Sequence, residues 1–412
     1  MKTKYIAHIT MEADTPLKVG SAESNFMHDS PIQRDWNGLP MILGTSIAGV
    51  LRKDFKGDTD TVFGKEDGSK VIFSNALLLD ETMQVNEGLL LSKSNFLTLF
   101  DKLPIREHTA ITEKGVAKKH SKFDEEVVYK GSRFRFSIEV LDDKASFDEI
   151  MALLHSTSFR LGGGSTKGFG KFKVIETAES TLDSAASLAA YSSSLNSLSG
   201  QMKSVSSAEQ SSTHIKYDIA LTPDDFFMFG AGFGDEEAKQ IAVTEKTIDY
   251  SKKGLSDNYL LMPATSIKGA IAHRAVYHYN LKNEHYIGDE AAKSVLDALF
   301  GEAKNSKEHI DGSKGKVLFS DLFMKDEKKT KIFDHVAIDR FTGGGLDSAL
   351  FNEKTSAQQN TWKIEILLEK KVDDVYVDAF EKTLDDLVNG MLPLGGATTK
   401  GHGIFTGEWS KA

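Results

Sequence analysis

Leu161-Gly-Gly-Gly-Ser-Thr-Lys-Gly-Phe-Gly170 comes back late in the chain as Leu394-Gly-Gly-Ala-Thr-Thr-Lys-Gly-His-Gly403. Both copies set one lysine in a run of glycine, serine and threonine. Glycine lets backbone N–H groups converge on an anion where a Cβ would collide, and the lysine adds a point charge. The residue order excludes the nucleotide P-loop, in which Gly-Lys-Ser/Thr enters a helix. Here Thr-Lys-Gly is followed by Lys171-Phe-Lys-Val-Ile175, which reads as a strand. A dinucleotide fingerprint fails for the same reason. Two readings stand, an anion-holding loop and a plain glycine turn between helix and strand; the recurrence favours the first.

Working outward, the two halves repeat a string of landmarks. An opening strand reads Lys4-Tyr-Ile-Ala-His-Ile9 first and Lys216-Tyr-Asp-Ile-Ala-Leu221 second. Leu43-Gly-Thr-Ser-Ile-Ala-Gly-Val-Leu-Arg52 is echoed by Pro263-Ala-Thr-Ser-Ile-Lys-Gly-Ala-Ile-Ala-His-Arg274. The Thr-Ser pair predicts an N-cap with an amphipathic helix behind it. Val62-Phe-Gly64 matches Leu299-Phe-Gly301, and Val71-Ile-Phe-Ser-Asn75 matches Val317-Leu-Phe-Ser-Asp321. Hairpins follow, ending in Phe123-Asp-Glu125 and Phe351-Asn-Glu353, with flexible tips at 114–120 and 342–346. Alternation then predicts strands through Phe134, Phe136, Ile138 and Val140, and through Trp362, Ile364 and Ile366. Helical spacing groups Phe147, Ile150, Met151 and Leu154, and likewise Phe380, Leu384, Leu387 and Val388.

Each half thus reads as a split β-α-β unit, an α+β, ferredoxin-like fold with a hairpin insertion. The expected division is a first unit at 1–176, a Ser/Ala-rich linker at 177–213 and a second unit at 214–412. The formal net charge of −10 argues weakly against a polyanion partner, because local distribution outweighs the total. Cysteine is absent, which excludes thiol chemistry and disulfides and fits a reducing cytoplasm. No apolar run is long enough to span a bilayer, and Met1-Lys-Thr-Lys4 does not read as a secretion signal.

These motifs together resemble the RAMP superfamily of CRISPR-associated proteins, and most closely the Cas-seven-type backbone subunits of type III effector complexes. The resemblance covers nearly all the chain, twice, as a tandem fusion. It implies two RRM-like cores, each with a thumb hairpin, serving antiviral defence by holding guide RNA (crRNA) and meeting target RNA beside sister subunits. A protein that accepts any guide sequence must grip phosphate and sugar. Candidate contacts are Gly162, Gly163, Gly164 and Lys167, with Gly395, Gly396 and Lys400 in the second copy. Ser46 and Ser266 stand at helix starts, where free N–H groups attract anions. Arg52, Lys53, Lys268 and Arg274 lie on or beside those helices, as RNA contacts or as a solvated face. Lys118, Lys119 and His120, with Lys114 and Lys122, make the first hairpin basic.

The family's backbone subunits cleave target RNA through one aspartate ahead of the Thr-Ser helix. Asp29-Ser-Pro-Ile-Gln-Arg34 carries that pattern, so the resemblance implies Asp29 as the catalytic residue and a weak metal ligand, with a divalent ion, Mg2+, as cofactor. Such a carboxylate can position a metal or move a proton while a 2′-OH attacks phosphorus. The plainer reading is a turn residue in Asp-Ser-Pro. His28 ranks below it, and Arg34 can meet phosphate or Asp35. The second unit lacks the pattern. Counting forward from Gly230 reaches Lys239, counting back from Ser266 reaches Asp249, and Asp249 is a weak catalytic candidate. Asp235, Glu236 and Glu237 form an acidic turn with a possible metal role. Two other functions stay open: a guide-binding subunit without chemistry, and a guide-processing endoribonuclease of the same superfamily.

Overall fold

The computed structural model describes residues 2–21, 31–65, 68–112, 116–193, 198, 203–204, 213–286, 291–302, 311–346 and 349–412. Asp29, His28 and Lys114 lie outside these residues.

The first unit is built on β1 (Lys4–Ala13). It continues through α1 (Gly44–Asp54) and β2 (Val71–Phe73) to a hairpin of β3 (Ile105–Ile111) and β4 (Ala117–Glu126). Then come β5 (Arg133–Leu141), α2 (Lys144–Leu154) and β6 (Phe172–Leu182). In the core sheet β5 lies between β2 and β1, and β6 pairs with the other edge of β1, all antiparallel. That order is ferredoxin-like. Alternate residues of β5, namely Phe134, Phe136, Ile138 and Val140, have no exposed surface. They face Ile47 and Leu51 of α1 and Phe147 and Ile150 of α2 in one apolar core. Burying a side chain of this size contributes about 1.5–3 kcal/mol, so the alternation fixes which sheet face receives the helices.

After β6, α3 (Ala185–Ser193) packs back on β6, and Lys203–Ser204 pairs with Ala178 and Glu179. The stretch expected as a tether therefore carries the end of the first sheet. Leu198 packs with Met41, Leu77, Leu79 and Val85, and His8 and Thr10 of β1 are buried.

The second unit repeats the plan. β7 (His214–Pro223) lies between β13 (Trp362–Glu369) and β14 (Phe405–Lys411), and β10 (Val317–Leu318) borders β13. Between β7 and β10 run the hairpin of β8 (Ile248–Asp249) and β9 (Gly254–Leu255) and the helix α4 (Ala264–Asn283). The second thumb is β11 (Thr330–His335) with β12 (Phe351–Ser356), and α5 (Asp374–Val388) precedes the second glycine loop. Hydrogen bonding aligns the units more sharply than the text of the sequence. Asp14 N–H donates to Lys171 O at 2.7 Å, and Asp224 N–H donates to Ile404 O at 2.9 Å. This places Ala7, Ile9 and Met11 opposite Tyr217, Ile219 and Leu221, two residues away from the register suggested by the shared Lys-Tyr.

The β8–β9 hairpin has no counterpart among the described residues of the first unit and reaches into it. Ile248 N–H donates to Lys130 O at 2.8 Å, and Ile248 joins the first unit's core. The Tyr250 hydroxyl donates to Leu79 O at 2.9 Å, and the Arg133 guanidinium lies 4.4 Å over the Tyr250 ring.

Candidate nucleic-acid interface

Close packing leaves no room for a side chain where each loop begins. Gly162 has φ +85°, and a Cβ there would stand 2.2 Å from Lys18 O; Gly395 has φ +91°, with 2.5 Å to Met228 O. Gly163 N–H donates to Lys18 O and Gly396 N–H to Met228 O, both at 2.7 Å. The amides expected to hold phosphate at Gly163 and Gly396 are therefore engaged by the chain itself. Each loop is sewn to the segment that leaves its unit's first strand. Gly164, with φ +71°, has its Cβ position against the Phe169 ring.

The lysines take a different course. Lys167 Nζ lies 5.3 Å over the ring of Phe123 on the first thumb, and Lys400 Nζ lies 4.5 Å over Phe351 on the second. Each ring stacks on a histidine one strand away: His108 and Phe123 centroids are 5.1 Å apart, His335 and Phe351 4.8 Å. Each histidine faces a buried glutamate, His108 to Glu125 at 3.3 Å and His335 to Glu353 at 2.8 Å. Lys18 also contacts Glu125 at 2.5 Å, and Lys400 reaches Glu353 at 3.6 Å. Burial would raise the Glu125 carboxyl, but hydrogen bonds from His108 and Lys18 pull it down to about 2. So the thumb base, the glycine loop and the segment after the first strand meet at one point in each unit. The sequence displays Phe123-Asp-Glu125 and Phe351-Asn-Glu353 as landmarks, but their histidines lie on the facing strands, and no local spacing reveals the pairing.

The helix starts also differ from expectation. Thr45 and Ser46, and Thr265 and Ser266, lie inside the first turn, and the cap positions are Leu43 and Pro263. The capping oxygen comes from afar: Gly44 N–H donates to Asn75 Oδ1 at 2.9 Å and Ala264 N–H to Asp321 Oδ1 at 2.8 Å. The start of α4 is further covered by the first unit, because a Cβ on Gly168 would lie 2.5 Å from Ala264 Cβ. Lys268 Nζ lies 3.4 Å from Thr166 Oγ1 and 3.3 Å from Phe300 O. Burial, and then the nearby Lys167, lower the Lys268 ammonium to about 8.

Beside this contact Arg106 of the first thumb is buried between two carboxylates of the second unit, Glu245 at 2.5 Å and Asp321 at 3.1 Å. Burial pushes both carboxyl groups upward, and Arg106 pulls them back. Lys171 meets Glu365 at 2.9 Å, and Arg160 Nη2 lies 3.4 Å from Ser320 Oγ. A basic knob of the first unit thus sits in an acidic socket of the second.

Other expected contacts are tied down within the chain. Arg52 donates to Gly64 O at 2.9 Å and pairs with Asp60 at 2.6 Å. Arg274 pairs with Asp386 at 2.5 Å. Both hold helix to helix or loop. Lys118, Lys119 and His120 lie exposed on β4, with His120 at φ +55°. The loop that carries Asp29 is closed at its stem by Ser21 N–H donating to Pro31 O at 2.8 Å. Arg34 donates to Gly38 O and Phe100 O, each at 2.8 Å, and pairs with Glu126 at 3.3 Å. Glu126 is the last residue of the first thumb, so the stem adjoins the thumb base.

The stem bridge is Gly20 to Ile32 in the first unit and, equivalently, Gly230 to Ala242 in the second. The insertion therefore follows Glu245, and counting from the bridges aligns Lys239 with Asp29 in sequence. Asp249 belongs to the inserted hairpin, where its carboxylate accepts from Ser251 N–H at 2.9 Å and Lys252 N–H at 3.3 Å as a turn cap. Asp235 and Glu237 pair with Lys354. Among the described residues no group of three or more His, Asp or Glu is placed to hold a metal ion.

The RAMP superfamily profile matches residues 10–173 and again 211–406. The chain belongs to the RAMP superfamily. Proteins of this superfamily bind RNA within CRISPR complexes, which makes this a CRISPR-associated, RNA-binding chain with two RAMP units. No curated protein matches it. Among the described residues no helix is long and apolar enough to cross a membrane. In this tandem RAMP chain each unit brings one loop lysine, one thumb aromatic and one His–Glu pair to the same place.

Proposed function

We propose that this chain is a double backbone subunit of a type III effector, gripping guide RNA once per unit. The observation that carries this reading is the repeated placement of Lys167 over Phe123 and Lys400 over Phe351 at the base of a thumb. A cation held by an aromatic face has lost little further freedom to lose on meeting a phosphate. Phosphate contacts of this kind are blind to sequence, as a guide-holding protein requires. The first thumb adds Lys118 and Lys119. The second presents Phe341, which is 99% exposed, and Ile338, which suit stacking against unpaired bases. Guide RNA, paired target RNA and neighbouring effector subunits are the partners of this reading, in the cytoplasm.

Asp29 is the proposed cutting residue. Its loop stands on a stem beside the thumb base, where a splayed target strand would present its 2′-OH in line with the next phosphorus. One carboxylate does not make a cation site, so target phosphate oxygens would have to complete the shell of a Mg2+ ion. The second unit, with Lys239 aligned there in sequence, binds without cutting. The test is the assembled complex with labelled target RNA. Asp29→Ala is expected to abolish one set of cleavage products while assembly survives, and chelation to do the same to the unmodified complex. Unchanged products in Asp29→Ala would remove the cutting role and leave a guide-binding subunit.

A further inference from the structure

His8 on β1 and Ser137 and Glu139 on β5 alternate with the core residues Ile9, Phe136 and Ile138, so they share the other face of the first sheet. They floor an open cleft of about 350 Å³, and Ser74, Glu87 and Trp36 stand around it. Small-molecule sites begin near this size, at about 300 Å³. In the second unit the position matching Ser137 is Glu365, which Lys171 of the first unit already meets.

The charges of the cleft exclude phosphate. Among the described residues that line it there is no lysine or arginine. Lys4 neutralises Glu139 at 2.7 Å, and Arg135, the next residue on the same face of β5, is paired with Glu176 at 3.5 Å. One net negative charge remains, that of Glu87, whose carboxylate is fixed by accepting Leu198 N–H at 3.0 Å.

The floor is polar and incompletely paired. His8 is 6% exposed, and its Nδ1 has no hydrogen-bond partner among the described residues. Burial first, and Arg135 second, lower the His8 imidazole and keep it neutral against the pull of Glu87 and Glu139. Leaving a buried ring nitrogen unpaired is unfavourable, and this ring borders a space that a ligand can enter. A neutral imidazole and the hydroxyls of Ser74 and Ser137 can each donate and accept. An ammonium ion, which only donates, would satisfy half of them. At the lip, Trp36 is 54% exposed and its ring is held by Nε1–H donating to Gly88 O at 3.3 Å. Asn37 Nδ2 donates to the same oxygen at 2.9 Å. The lining thus calls for a flat ligand with donors for a carboxylate, and with both donors and acceptors for the floor.

We propose that this cleft takes a guanine base. Guanine presents N1–H and its 2-amino group side by side to a carboxylate, O6 and N7 to hydroxyl or imidazole donors, and a π face to Trp36. Adenine and cytosine set an amino group beside a ring acceptor, and uracil sets one N–H between two carbonyls, so none offers that donor pair. The lysine grips are blind to sequence, and this cleft would read one base. It stands on its own residues and does not depend on the two grips.

The test is titration of the purified full chain with GMP, IMP and AMP, followed by saturation-transfer NMR. GMP is expected to bind more tightly than IMP, which lacks the 2-amino group, and than AMP, by about fivefold to a hundredfold, the usual reach of a bidentate base contact. Glu87→Gln keeps an acceptor for Leu198 N–H and should bring GMP down to IMP. Trp36→Ala should weaken all three together, and Trp36→Phe should restore part of the loss. A second arm compares an all-uridine octamer with the same RNA carrying one guanosine. Preference for the guanosine octamer, lost in Glu87→Gln, marks a residue of bound RNA as the source; discrimination among the free nucleotides alone marks a free guanine nucleotide. The Lys167→Gln, Lys400→Gln double variant should keep the GMP preference, so this proposal and the two-grip reading fail separately. No guanine preference in either arm would overturn the proposal and leave the cleft to a donor side chain of another protein. A preference that survives Glu87→Gln would overturn it as well.

Discussion

Lys400 holds its ammonium 4.5 Å over the ring of Phe351, and the same ring stacks on His335. The lysine of a glycine loop is thereby fixed by a strand that lies far away in sequence. Phe351→Ala keeps the charge and removes the prop. Binding of mixed-sequence RNA should weaken about threefold to tenfold, the cation–π contribution being about 0.5–1 kcal/mol at exposed sites and more when desolvated. The salt slope should stay as it is, because the number of cations is unchanged. A filter-binding titration across salt concentrations checks both.

Arg106 bridges Glu245 and Asp321 in this buried cluster. Arg106→Ala should destabilise the joint by about 3–5 kcal/mol, the usual cost of stranding buried charge. Differential scanning calorimetry is expected to show the single transition splitting or moving down. Arg106→Ala with Asp321→Asn and Glu245→Gln should recover part of the loss.

Glu125 titrates at about 2, below its ordinary 4.5, because His108 and Lys18 hold its charged form against the cost of burial. A depressed carboxyl stabilises the fold above its unfolded value, and that contribution fades as pH falls from 4.5 toward 2. Acid unfolding followed by circular dichroism should be displaced by Glu125→Gln. The variant is expected to be less stable at neutral pH and less pH-dependent over that window.

Gly395 and Gly269 make a contrasting pair. Gly395→Ala forces a Cβ to within 2.5 Å of Met228 O at φ +91°, so thermal unfolding should drop by several degrees. Gly269 lies inside α4 with nothing within 4 Å of a new Cβ, and Gly269→Ala should stabilise by up to about 1 kcal/mol. Melting temperatures of the two variants decide.

The duplication, the ferredoxin-like units and the thumbs were readable because apolar alternation and glycine loops are local signals. Strand register was not. A shift of two residues keeps the same side chains inward, so Lys4-Tyr5 and Lys216-Tyr217 could be matched two positions out. Thr45-Ser46 resembles a cap, but the capping oxygen belongs to Asn75, which only the folded sheet brings near. The stretch 177–213 looked like a tether because alanine and serine carry no periodic pattern, yet α3 contacts β6 and Lys203–Ser204 pairs with that strand. The His108–Glu125 and His335–Glu353 pairs join residues on facing strands, and spacing along one strand cannot announce them.

The most direct measurement is the RNA affinity of Lys167→Gln, Lys400→Gln and the double variant, each across a salt series with mixed-sequence single-stranded RNA. Two equivalent grips predict that each single variant weakens binding by a similar factor and lowers the salt slope by about 0.7–1. The double variant should show the sum of both. Affinity and slope unchanged in the double variant would contradict the account.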